Sequence, residues 1–85
     1  MKERRRHERR PVSIPIEYVA RGNLHTGVAI NKSEGGMYIR GGEDVSVGEE
    51  IVVIYPFAMQ GKKTRHGSAA RMDNDGFGVA WVEYG

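Results

Sequence analysis

Two short stretches of this 85-residue chain concentrate side chains able to do chemistry. The first is Arg4-Arg5-Arg6-His7-Glu8-Arg9-Arg10; the second is Asn31-Lys32-Ser33-Glu34-Gly35-Gly36. Guanidinium groups present planar forks of N–H donors that match phosphate oxygens or the O6/N7 edge of guanine, and their flat faces stack on bases. The second stretch adds a short amide, a hydroxyl and a glycine turn with exposed backbone N–H groups, donors and acceptors suited to a purine edge or a phosphate oxygen. Ser33 and Asn31 also favour closing local turns, a structural role that can coexist with ligand contact.

The charge distribution separates the first stretch from the rest. The chain carries +2 overall, yet residues 1–10 carry +4 and residues 11–85 carry −2. A weakly acidic body with a strongly basic arm suits an anionic partner. Other chemistries lack their residues. The chain has no cysteine, which excludes disulfides and thiolate metal sites. His7, His25 and His66 show no ligand spacing, so no metal site is expected. Asp73-Asn74-Asp75-Gly76 lacks the later glutamate of a calcium loop and reads as a hairpin turn. No nucleophile–base pair or carboxylate dyad stands out, so the chain is not expected to be an enzyme. No apolar run approaches the roughly 18–20 residues that span a bilayer, and no signal segment follows Met1, which points to a cytoplasmic domain without membrane insertion.

The elements that must position these stretches are strands. Ile14, Ile16, Tyr18 and Ala20 fall on one face, with Ser13, Glu17 and Arg21 on the other, and Leu24, Thr26, Val28 and Ile30 alternate again. Met37 and Ile39 follow Gly35-Gly36, Ile51 to Tyr55 reads as a strand covered on both faces, and Thr64 to Met72 and Phe77 to Trp81 alternate again. Twelve glycines, against about six at average usage, supply the turns. The pattern predicts an all-β domain, a small six-stranded antiparallel barrel over residues 12–85, preceded by a basic arm over residues 1–11. A three-residue loop at Arg21-Gly22-Asn23 pairs Ile14 with Ile30 and Tyr18 with Thr26, bringing the apolar faces together. That register sets Asn31 opposite Ser13 and Ser33 opposite Pro11, so the arm leaves the barrel beside residues 33–36.

Arginine run, hairpin and turn in this order resemble the PilZ domain family, bacterial receptors for cyclic di-GMP. The family pattern R-x-x-x-R fits Arg5 with Arg9, and also Arg6 with Arg10; the spacing to Pro11-Val12 favours the first frame. The pattern (D/N)-x-S-x-x-G fits Asn31, Ser33 and Gly36. Val47-Gly48-Glu49 before Ile51-Val52-Val53 resembles the family's turn into a middle strand, and Gly76-Phe77-Gly78-Val79-Ala80-Trp81 its closing strand, with Trp81 in the aromatic slot. The resemblance implies a split-barrel type of fold and a receptor for cyclic di-GMP without cofactor. It implies ligand contacts from Arg5, Arg9, Asn31, Ser33 and Gly36, with Arg4, Arg6, Arg10 and Gly35 secondary. It further implies a flexible arm that orders on binding and signals to a downstream protein partner. Many family members continue into a C-terminal helix, and none is evident before Gly85. Two other readings stay open from the residues: a small barrel that binds nucleic acid through its arm, and a PilZ-like interaction domain that binds no nucleotide. The lack of exposed stacking aromatics weighs against specific nucleic-acid binding.

Overall fold

The computed structural model describes residues 10–42, 45–56, 59 and 61–82, with Arg10 described for its backbone alone. Six antiparallel strands close into a barrel: β1 (Arg10–Ala20), β2 (Asn23–Ser33), β3 (Gly36–Arg40), β4 (Glu50–Pro56), β5 (Lys62–Met72) and β6 (Gly76–Trp81). The order around the barrel is β1-β2-β3-β6-β5-β4, and β4 pairs back onto β1. Closure leaves no sheet edge, as a chain of many short alternating strands requires. Among the described residues there is no helix.

The interior is filled from all six strands. Phe77, Ile39, Ile51 and Val53 are fully buried, and Ile16, Tyr18, Met37 and Val79 pack around them. Met72 and Trp81 are partly buried against this core, whereas Met59, between β4 and β5, is fully in solvent. β4 departs from expectation. Ile51 and Val53 face inward, but Val52 and Ile54 stay half exposed on the outside, so only one face of this apolar run is covered.

The first hairpin also differs from its expected register. Its loop has two residues, Arg21 and Gly22, and pairs Ala20 with Asn23, Tyr18 with His25 and Ile16 with Gly27. The inward residues of β2 are therefore His25, Gly27 and Ala29, while Leu24 and Val28 point outward. Interior volume accounts for this choice. The Tyr18 ring stacks on His25 with centroids 5.0 Å apart and meets the edge of Phe77 at 5.2 Å. A Cβ on Gly27 would lie 2.9 Å from Ile39 Cγ2 and 3.4 Å from Tyr18 Cε1, so this wall admits only a very small residue. Matching apolar faces favours Leu24 and Val28 inside; filling the barrel favours glycine and alanine there, and filling wins. The loop takes positive φ at Arg21 (56°) and Gly22 (78°), the handedness that suits a two-residue hairpin. For arginine that conformation costs about 1 kcal/mol. The side chain offsets it by donating from Nε to Glu49 Oε2 at 2.8 Å and from Nη2 to Ser46 Oγ at 2.9 Å.

Candidate functional site

Asn31 and Ser33 reach the outside of the barrel through a break in strand alternation. On β2, Ala29 is buried and pairs with Ile39; after a bulge at Ile30, Asn31 pairs with Tyr38. Tyr38 lies between the inward residues Met37 and Ile39, so it faces outward, and Asn31 shares its face. Had plain alternation run on through Ile30 without a bulge, Asn31 would point into the core. Ser33, two residues on, pairs with Gly36 on the same outer face.

The neighbouring strands extend this face. Tyr38 pairs with Gly78 of β6, and Gly78 with Arg71 of β5. A second bulge, at Ala70, turns Arg71 outward in the same way. Asn31, Tyr38, Gly78 and Arg71 thus form one row across four strands. The Arg71 side chain lies over Gly78, its Cγ 3.5 Å from the place a Gly78 Cβ would occupy. Beside this row run Ser33, Gly36, Ala80 and Ser68.

The turn joining β2 to β3 is held from two sides. The Gly35 N–H donates to Ser33 Oγ at 3.2 Å, and the Trp81 N–H donates to the Gly35 carbonyl at 3.0 Å. Ser33 therefore does close its own turn. Gly36 has a structural reason of its own, because a Cβ there would collide with the Val79 carbonyl oxygen of β6. Trp81 sits half-buried at the barrel end, with the Arg65 guanidinium 4.6 Å above its ring centroid.

Tyr38 and the β5–β6 turn form the tightest polar contact. The Tyr38 hydroxyl donates to Asp73 Oδ1 at 2.5 Å, and the same oxygen accepts the N–H groups of Asp75 and Gly76 at 2.9 and 3.0 Å. The bond to Asp73 and burial push the Tyr38 hydroxyl up to about 12. The Tyr38 bond, then the two backbone N–H groups, hold the Asp73 carboxyl below its usual range. The Asp73–Gly76 stretch is a hairpin turn, as expected. Among the described residues, no cluster of three or more His, Asp or Glu side chains is placed to hold a metal.

Of the arm, only Arg10 and Pro11 are described, and they pair with β2 in a register other than the expected one. Pro11, not Ser13, is opposite Asn31, and Arg10 is opposite Lys32, because the two-residue hairpin loop moves the pairing by one residue and a slip between Pro11 and Ile14 moves it by one more. The chain thus enters β1 beside Lys32 and Ser33. Arg4, Arg5, Arg6 and Arg9 lie outside the described residues, as does the choice between the two arginine frames. Sequence reasoning missed Tyr38, Gly78 and Arg71. Their row depends on the β3–β6–β5 registers, and only the outward phase of Tyr38 between Met37 and Ile39 hinted at it.

The PilZ domain family model matches residues 3–84. The chain belongs to the PilZ domain family. Solved PilZ structures share its fold. The PilZ domain of CeSA from a cellulose-synthesizing bacterium superposes with a TM-score of 0.78 at 18% identity, covering 92% of this chain and 83% of that one. The Bacillus subtilis inhibitor of motility, MotI/DgrA, superposes with a TM-score of 0.74 at 17% identity over 99% of this chain, which spans only 45% of that protein. No curated protein sequence matches this one. PilZ domains are receptor or effector domains rather than enzymes.

Proposed function

We propose that this PilZ domain is a cytoplasmic receptor for cyclic di-GMP with no catalytic step of its own, and that binding orders the N-terminal arm into a surface read by a partner protein. The observation that carries the reading is the placement of Asn31 and Ser33 on one outer face, next to the point where the arginine-rich segment enters β1. The ligand carries two phosphate charges and two guanines. In this reading Arg5 and Arg9 fork onto guanine edges and phosphates, and Arg4, Arg6 and Arg10 add charge or stacking. Asn31 and Ser33 contact the ligand from the barrel side, Gly35 and Gly36 keep the turn low beneath it, and Arg71 supplies a cation from across the face. The arm is too charged to order alone, so ligand charge is what drives its ordering.

Calorimetric titration with cyclic di-GMP, GTP and a single-stranded oligonucleotide tests the proposal. Saturable binding of cyclic di-GMP alone is the expected result, and the stoichiometry gives the number of ligands held. Equal binding of the oligonucleotide makes the arm a general polyanion tail. Binding of none of the three leaves a protein-interaction module.

A further inference from the structure

The outer face of β1 lies away from the candidate site and is apolar. Val19 stands between Leu24 of β2 and Val52 of β4; two residues earlier, Glu17 stands between Thr26 and Ile54. Leu24 is 60% exposed and stands proud of this face. Toward Pro15 the face dips into an open groove of about 410 Å³, with Pro15, Glu17, Thr26, Ile54, Pro56 and Lys62 in its walls. Knob and groove share one face: Thr26, on the near wall, is about 7 Å along β2 from Leu24, and Pro15, at the far end, lies about 13 Å from it along β1.

The charges at its edge are mixed in sign and mostly paired. Lys62 Nζ lies 3.4 Å from Glu17 and Arg21 Nε lies 2.8 Å from Glu49, and Glu50 stands beside the His66 ring. A face for nucleic acid or an acidic bilayer carries one sign of charge. Apolar residues with a mixed rim instead suit a surface of the same composition, and a second copy of this chain offers one.

We propose that this face is a homodimer interface in which Leu24 of each copy seats in the groove beside Pro15, Ile54 and Pro56 of the other. A two-fold axis lying in the plane of the face, and crossing β1 between knob and groove, makes both contacts at once. That is the self-complementary arrangement that closes a dimer. Glu17 enters the contact already paired with Lys62, so no lone charge is stripped of water. The patch is small, and the expected affinity is weak, with Kd in the range of about 10–100 µM. The polar row on β3, β6 and β5 lies outside this contact, so the proposal does not rest on the nucleotide reading.

Sedimentation equilibrium of the full chain without nucleotide, over about 10 µM to 1 mM, tests it. The mass of the native chain is expected to rise from 9.5 kDa toward twice that value. Leu24→Asp is expected to hold it at the single-chain mass, and Ala70→Asp, an exposed position on β5, to leave it unchanged from native. Circular dichroism confirms that each variant is folded. The chain has no cysteine, so a mixture of Leu24→Cys and Pro56→Cys chains under mild oxidation reports the contact directly. A disulfide-linked heterodimer in clear excess over either chain alone is expected. A native chain that stays monomeric throughout, a dimer that survives Leu24→Asp, or no excess of cross-linked heterodimer overturns the proposal.

Discussion

Two outer faces of one barrel have opposite characters. Over residues 15–20 of β1, residues 24–28 of β2 and β4 the surface follows plain alternation and exposes Leu24, Val28 and the outer edges of Val52 and Ile54. Over β2, β3, β6 and β5 alternation breaks twice, at Ile30 and Ala70, and the surface carries Asn31, Ser33, Tyr38 and Arg71 over a glycine floor. Both faces rest on the same core, so the contrast arises from the phase of the strands and not from a different scaffold. Regular strands leave an apolar wall; the two bulges collect polar groups that are distant in sequence.

Perturbations that strike one face alone sharpen this contrast, and the largest concerns the glycine floor. Gly36→Ala forces a methyl against the Val79 carbonyl and is expected to destabilise the domain by about 3 kcal/mol, measured by urea unfolding. An unchanged midpoint means that β3 and β6 can separate and that Gly36 is not a structural requirement.

Next come the arginines. Arg5→Ala or Arg9→Ala is expected to weaken cyclic di-GMP binding by about 1–3 kcal/mol, roughly 5–150-fold, with smaller losses for Arg6→Ala and Arg10→Ala. Calorimetry checks the order, and a reversed order moves the motif to the other frame. Asn31→Ala and Ser33→Ala are expected to cost about 0.5–1.5 kcal/mol each in the same titration while leaving oligonucleotide binding unaltered. Equal weakening of both ligands erases the distinction between a built face and a charged tail. Thermal melts accompany this measurement, because Ser33 also holds the Gly35 N–H.

The smallest effect is expected from Tyr38→Phe, which removes the bond to Asp73 and lowers Tm by about 4 °C at neutral pH. The folded-state value of Tyr38 is raised to about 12, so its contribution is complete below its ordinary value near 10 and is lost as pH rises through 12. The Asp73 value is lowered, so its contribution is present above the ordinary carboxylate range and is lost as pH falls through the folded-state value. The Tm gap between native and variant protein therefore holds across the neutral range and narrows at both extremes. A gap that ignores pH means that the hydroxyl matters for packing alone.

The sequence made the strands legible and their registers only partly so. Six alternating segments with glycine-rich turns give a six-stranded antiparallel barrel, and Asn31, Ser33 and Gly36 lie where the first hairpin meets the start of β1. The facing of β2 could not be read from apolar matching, because Gly27 answers to Ile39 and Tyr18, residues of two other strands. The partnership of Tyr38 with Asp73 spans 35 residues and depends on the whole β3–β6–β5 path. The bulges carry no composition of their own: Ile30 and Ala70 are ordinary strand residues whose effect is to add one to a count.

That added residue makes β2 sensitive to indels in a way that its composition hides. Deleting Ile30 would remove only the bulge and leave Asn31 opposite Tyr38, still outward, whereas deleting Lys32, two positions on, would turn Ser33 toward the buried layer. The binding half of the strand and its packing half are written in two reading phases, joined at a single position. In comparing such domains, an alignment gap placed one residue to either side of that joint would match surface residues to interior ones while still pairing isoleucine with valine.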